Sequence, residues 1–336
     1  MSTSQIDDIL FKTGGTRLKF VQNHTLAFLL NGLLASQFLQ AENPAVRMRP
    51  DPIRNSSPKI LIDVSLVLVP VHVTTALGRP IMDMESNDFH LYDNDVELSI
   101  QSFAKDDTPI SVGVLFDCSG SMRSKIRQSA AATTAFLNTA NKDDEHFLVE
   151  FGDRPRMSIP FTNEATDLTA RIARIRPNGR TSLFDAIHLA LKQMTHARNR
   201  RKAIIIFSDG GDNWSRKSLS EIRRSLEEAD VQLYAIEILD EAMQGKPTRE
   251  EIAAPGILSE LAGISGGNHL RSNLMNLKAL SEYVGNELRS QYVLGYSPIK
   301  DLRDGKYHRL KVTVSPKEKM PDLRISHRRG YYAVDN

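Results

Sequence analysis

The sequence predicts an α/β fold: a doubly wound, mostly parallel sheet inserted in a small antiparallel β domain. Three observations predict it. From Ile110 onward, short continuous apolar runs alternate with stretches whose apolar residues recur at helical spacing. The segments on either side of that block read as strands and show no helical period. The polar words of the block fall just past its apolar runs, where open α/β sheets place their ligand sites.

The N-terminal part, residues 1–59, stands apart. Lys12, Arg17 and Lys19 precede an apolar run, TLAFLLNGLLASQFL at 25–39, and Ala41 and Glu42 follow it. A basic flank, an apolar core too short to cross a bilayer and a small residue before polar chain point to a secretory signal or an anchor. The acidic leader SQIDDIL before it suggests a true start further along, and a short surface helix is the alternative. Export to the periplasm, the cell surface or the medium is the expectation, with membrane contact only through this segment. The stretch after it carries Pro44, Pro50, Pro52 and Pro58 and reads as an extended linker.

Residues 60–107 form the first half of the β domain. ILIDVSLVLVPVHV at 60–73 is crowded with β-branched residues and interrupted by Pro70. A turn at Gly78–Arg79–Pro80 leads to strand-like stretches over Asp88–Asp93 and Val96–Phe103, with Asn94–Asp95 as the turn between them.

Residues 108–290 form the α/β domain. SVGVLF (111–116) reads as a strand buried on both faces, and Met122, Ile126, Ala130, Thr134 and Leu137 mark a helix. HFLVEF (146–151) and Met157 to Phe161 are strands. Leu183, Ile187, Ala190 and Met194 stripe a helix, and AIIIF (203–207) is a second buried strand. A helix over Leu219–Ala229, a strand at 231–239, a helix near Ile257–Leu261, a short strand near His269 and a helix over Leu277–Leu288 complete the alternation. Residues 291–336 return to β pattern: YVLGYS, HRLKVTV and LRISHRRGYYA complete the β domain begun at Ile60.

Composition is that of a globular chain of 336 residues, 40% hydrophobic and 25% charged. A formal net charge of +2 gives no reason to expect nucleic acid. Cys118 is the single cysteine, so neither an intrachain disulfide nor a multi-thiolate zinc site can form.

Three polar loops carry the chemistry. Asp117–Cys118–Ser119–Gly120–Ser121 follows the first strand of the α/β block, Asn178–Gly179–Arg180–Thr181–Ser182 opens a helix, and Ser208–Asp209–Gly210–Gly211–Asp212 follows AIIIF. These residue types suit a hard divalent cation, Mg2+ or Mn2+, which takes oxygen ligands and retains waters. Asp117 and Asp209 supply charge; Ser119, Ser121 and Thr181 supply neutral hydroxyls. Two carboxylates and three neutral hydroxyls hold the ion without filling its coordination shell, so an Asp or Glu of a protein partner is attracted to an open coordination position.

Asp117-x-Ser119-x-Ser121, Thr181 and Asp209 resemble the metal-ion-dependent adhesion site of von Willebrand factor A domains, with its pattern DxSxS, then T, then D. FDCSGSM (116–122), GRTSLFDAI (179–187) and FSDGGD (207–212) look like their counterparts in that family. The resemblance covers roughly residues 108–290. The flanks, VSLVLVPVHVTTALGRPIMDMESNDFHLYDNDVE before and QYVLGYSP, HRLKV and RRGYYA after, resemble a bacterial group of related chains, many of them exported. What the resemblance implies is cation-dependent binding of a protein and no enzymatic activity, with movement of the last helix coupling the site to the β domain. It names no ligand.

An isolated Asp-x-Ser-x-Ser is equally a helix-capping turn. Asp212 reads as a loop or cap residue, Asp185 as an acceptor that orients the loop, and Cys118 as a small buried thiol. A metal-stabilised scaffold is the second reading. The third is a magnesium-dependent phosphatase, which places Asp-x-Asp after the first strand; position 119 is Ser, unable to act as general acid, and no well-placed lysine is evident. Gly263–Ile264–Ser265–Gly266–Gly267 matches a serine-hydrolase elbow in spelling only, since a helix precedes it and a strand follows. The basic run HARNRRK at 196–202 complements a helix C-terminus.

Overall fold

The computed structural model describes residues 66–76, 79–106, 108–239, 248–297, 305–315 and 322–332. The signal-like segment and the proline-rich linker lie outside the described residues. No described helix is long and apolar enough to cross a membrane.

Six strands make the central sheet: β5 (Ile110–Asp117), β6 (Glu145–Phe151), β7 (Arg156–Thr162), β8 (Arg201–Ser208), β9 (Gln232–Leu239) and β10 (His269–Asn273), in the order β10-β9-β8-β5-β6-β7. All neighbours are parallel except the edge strand β7, which runs antiparallel to β6. Every residue of β5 and β6 is buried, as both faces are covered. Side chains alternate between two cores. Val112, Val114 and Phe116 pack with α1 (Ile126–Leu137), α2 (Ala165–Ile172) and α6 (Leu277–Arg289). Leu115, Phe147 and Ile204 pack with α3 (Leu183–Met194), α4 (Leu219–Glu228) and α5 (Arg249–Ser265). Gly113 is required in β5, because a Cβ there would lie 2.3 Å from the Phe147 ring. The fold is therefore α/β and doubly wound around a mostly parallel sheet.

The flanking strands form a two-sheet sandwich. One sheet has the order β13-β1-β11-β4, from β13 (Leu323–His327), β1 (Val67–Thr75), β11 (Gln291–Tyr296) and β4 (Ser102–Asp106). The other has the order β14-β12-β2-β3, from β14 (Gly330–Tyr332), β12 (Tyr307–Val314), β2 (Phe89–Asp93) and β3 (Val96–Leu98). Val69, Val71, Val73, Leu91, Tyr292 and Leu294 fill the space between them. Strands from both ends of the chain pair directly, β1 with β11 and β2 with β12.

Four local differences from the sequence reading have physical reasons. The stretch expected as one strand over Val96–Phe103 is two, β3 and β4, because the chain crosses from one sheet to the other between Leu98 and Ser102. LRISHRRGYYA divides in the same way into β13 and β14. Pro70 does not interrupt β1: it pairs with Val293 of β11, and the ladder to β13 starts only at Val71, so the N–H that proline lacks has no strand to serve. The short α2 escaped the sequence reading because it buries only Leu168 and Ile172. Asn94 and Asp95 both adopt positive φ, 47° and 66°, and make the tight turn expected of them.

Candidate metal centre

The candidate residues sit at the carboxyl ends of β5 and β8, where adjacent strands lead into helices on opposite faces of the sheet. Asp117 is the last residue of β5 and is fully buried. Ser119 precedes a 3-10 turn, Gly120–Ser124, that leads into α1. Asp209 follows β8 directly, and Thr181 stands just before α3.

Backbone hydrogen bonds stitch the three loops together. The Gly120 N–H donates to the Gly179 carbonyl at 2.9 Å, and the Asn178 N–H donates to the Cys118 carbonyl at 2.8 Å. The N–H groups of Asn213 and Trp214 both donate to the Thr181 carbonyl, at 3.0 and 3.1 Å. Gly179 has φ +84°, and a Cβ there would lie 2.8 Å from the Asp153 carboxylate, which accepts from the Arg180 N–H.

Four of the five candidate side chains form a connected cluster. The Asp117 carboxylate accepts from the Ser119 N–H at 2.8 Å and from the Ser208 hydroxyl at 2.5 Å. The Ser119 and Ser121 hydroxyls are 3.0 Å apart, and Ser121 donates to Asp209 Oδ1 at 2.9 Å. Thr181 joins through its main chain, accepting from the 213–214 loop and donating its N–H to Asn213 Oδ1. Burial, then the neighbouring Asp209 carboxylate, pushes the Asp117 carboxyl up to about 7, against the pull of the hydrogen bonds from Ser208 and Ser119.

Lys125 completes the cluster, and the sequence reading missed it. Its side chain is 4% exposed and ion-pairs with Asp209, whose side chain is 3% exposed. Contrary to the expectation from the sequence, a lysine is well placed at the cluster. The signal was present: Lys125 stands four residues after Ser121, one helical turn on, so the turn that aims Ser121 at the site aims the ammonium there too. The other argument against phosphatase chemistry stands, because Ser119 still cannot supply a general acid.

The donor set fits a hard divalent cation. It offers only oxygen atoms, and the Asp209 carboxylate adds to burial in raising the proton affinity of Asp117, which a cation between them would relieve. No group of three or more His, Cys, Asp or Glu is gathered as a metal cluster among the described residues, so hydroxyls must complete such a site. The nearby acids hold the loops. The Asp185 carboxylate accepts from the Arg216 and Lys217 N–H groups, and Asp212 accepts from the Phe184 N–H. Cys118 donates its thiol to the Phe151 carbonyl at 3.1 Å, and burial pushes that thiol up to about 12.

The rim differs from the floor. Trp214, the only tryptophan of the chain, is 48% exposed beside the Thr181 loop. The Arg180 guanidinium lies 3.7 Å from its ring centroid. A cleft of about 940 Å3 lies elsewhere, at the amino ends of β8 and β9 against the sandwich. It contains none of the candidate residues.

An open, mostly parallel sheet with an oxygen-rich cluster on its carboxyl edge defines the class of domain. Residues 112–211 match the family model of the von Willebrand factor type A domain, a span that runs from β5 into the loop after β8 and holds all five candidate residues. No curated protein matches the chain in sequence. Similar solved structures include a von Willebrand factor type A protein from Catenulispora acidiphila, with 13% identity over 76% of this chain and 75% of that one and a TM-score of 0.48. The conserved hypothetical protein BatB from Bacteroides thetaiotaomicron shows 18% identity over 54% of this chain and 100% of its own, with a TM-score of 0.43. Proximal thread matrix protein 1 from the mussel byssus, in a structure described as having a zinc-occupied MIDAS motif, shows 17% identity over 58% of this chain and 49% of its own, with a TM-score of 0.47.

Proposed function

We propose that the α/β block is a divalent-cation-dependent protein-binding module. Asp117, Ser119, Ser121, Thr181 and Asp209 hold one Mg2+ or Mn2+, some of them through water, and an Asp or Glu of a partner completes the coordination. The observation that carries this reading is the hydroxyl-linked pair of buried carboxylates, Asp117 and Asp209, on the carboxyl edge of the sheet. The metal would supply the positive charge that draws the partner's carboxylate. The chain's own residues link four of the five side chains, hold Thr181 beside them through its main chain, and present Arg180 and Trp214 on the rim. The same reading takes residues 108–290 as an insertion in the β domain and the N-terminal segment as an export signal or anchor. In it α6 transmits changes at the site, since only Ser290 separates that helix from β11.

Calorimetric titration of the full chain with Mn2+ tests the reading. One-site binding that is lost in Asp117→Ala supports it, and no uptake by the wild type would overturn it. A scaffold with a structural metal is distinguished by partner capture that survives chelation. The Lys125–Asp209 pair gives the phosphatase reading one feature it lacked, so phosphate release from a generic aryl phosphate, abolished by Asp117→Asn, would revive it.

A further inference from the structure

One of the five proposed ligands already carries a cation. Asp209 shares its two oxygens between the Ser121 hydroxyl and the Lys125 ammonium, and both charged side chains are almost wholly buried. A lysine buried to this degree is rare unless paired, because desolvating an ammonium is costly without a compensating anion. Nor is Lys125 a long surface side chain that happens to reach inward. It is anchored at the junction of the 3-10 turn and α1, with its N–H donating to the Met122 carbonyl and its own carbonyl accepting from the Ser129 N–H and hydroxyl. The backbone that aims Ser119 and Ser121 at the site therefore also holds the ammonium there.

With Asp117 ionised, as a bound metal requires, two carboxylates and one ammonium give the cluster a single negative charge. A divalent ion bound beside the ammonium would turn that into a single positive one. With a neutral side chain at position 125, the same ion would exactly balance Asp117 and Asp209. In a buried setting such like-charge proximity is strongly unfavourable.

We propose that Lys125 is a tethered competitor of the divalent cation: its ammonium holds Asp209 in the metal-free protein and must leave that carboxylate for the metal to bind. This rests on the reading of the cluster as a metal site. Two effects follow. The metal-free domain keeps its buried carboxylates compensated and stays folded. The concentration of divalent ion needed to fill the site is raised, so the module is engaged only where such ions are plentiful.

The test compares full-length wild type with Lys125→Met, which keeps the length of the side chain and removes its charge. In Mn2+ calorimetry the variant should bind at least about tenfold more tightly. In chelator it should melt several degrees lower, since Asp209 is left buried without a cation, and saturating Mg2+ should raise its melting temperature by more than it raises that of the wild type. A second measurement needs no variant to fold. In wild type, the Lys125 ammonium 1H–15N signal should be protected in chelator and should lose that protection at Mg2+ saturation. Equal Mn2+ affinities in the two proteins, or a Lys125 signal unmoved at saturation, would overturn this inference alone. Absence of Mn2+ uptake by both would overturn the metal-site reading and this inference with it.

Discussion

Two buried polar clusters at opposite ends of the central sheet are compensated in different ways. At the carboxyl end, burial, then the neighbouring Asp209 carboxylate, raises the Asp117 carboxyl to about 7, while the Lys125 ammonium pairs with Asp209 and the Ser119 and Ser121 hydroxyls link the loops. At the amino end, Gln232 and Tyr234 of β9 meet His72 of β1 and Gln291 of β11. Tyr234 Oη lies 3.2 Å and the Gln291 amide nitrogen 2.8 Å from His72 Nε2, and that amide also donates to Gln232 Oε1 at 2.9 Å. The bonded groups are amides, a phenol and an imidazole, and burial, then the nearby Arg201 guanidinium, pushes His72 down to about 3, so it is held neutral. The first crowds two carboxylates around a single ammonium. The second links uncharged side chains that join the sheet to the sandwich. Buried polarity alone does not mark a functional site; the sign and compensation of the charge do.

The largest effect expected from this contrast is at Asp117. Asp117→Ala should weaken Mn2+ binding by about hundredfold or more, since even residues that only orient ligands are worth tenfold to hundredfold. In chelator the related Asp117→Asn should be no less stable than wild type, because it removes a buried charge that Asp209 opposes. A calorimetric titration and a melting curve check the two halves. A variant that both keeps its metal affinity and loses stability would make the carboxyl end as structural as the amino end, and the contrast would collapse.

Next in size is the mirror experiment. Gln291→Ala leaves Gln232 and His72 without their amide partner in a buried setting and should destabilise the protein by about 2–3 kcal/mol. Denaturant unfolding measures this, and Mn2+ affinity should be unchanged. A loss of metal affinity in Gln291→Ala would show that the two ends communicate.

The pH dependence of the amino end sharpens the comparison. His72 has a folded pKa near 3, below its unfolded value of 6.5, so the unfolded chain takes up the proton first as pH falls. Its contribution is fully present above about pH 6.5 and is lost progressively as pH drops toward 3. Between pH 6.5 and 5 that amounts to about 2 kcal/mol. Unfolding curves of wild type and His72→Gln at the two pH values should differ in slope by this much, and identical slopes would mean that His72 is protonated in the fold.

How far the sequence foretold this contrast differs between the two ends. Asp117, Ser119, Ser121 and Asp209 announce themselves by position, because each follows a continuous apolar strand, and the structure brings them into one hydrogen-bonded cluster. Lys125 was hidden only by attention to oxygen ligands. The amino end was opaque. His72, Gln232, Tyr234 and Gln291 are separated by as many as 219 residues, and no local period brings them together. The sheet crossings after Leu98 and His327 were equally hidden, since alternation continues unbroken through a bend that only the two-sheet core demands.

The smallest effect concerns the rim. Arg180 and Trp214 are exposed, and their cation–π contact is worth about 0.5–1 kcal/mol at such a site, so Arg180→Ala should hardly change the unfolding free energy. It should change the light. Trp214 is the sole tryptophan, so the emission spectrum of the protein is the spectrum of this rim, and removing the guanidinium that covers the ring should shift emission to longer wavelength as water gains access. Mg2+ added to wild type should alter the same signal, because the Trp214 N–H is bonded to the carbonyl of Thr181, one of the proposed ligands. The same titration on Gln291→Ala should give an unchanged response, since that substitution lies at the far end of the sheet. An emission spectrum indifferent to both Arg180→Ala and Mg2+ would separate the rim from the site and leave the carboxyl end as a charged cluster without a recognition surface.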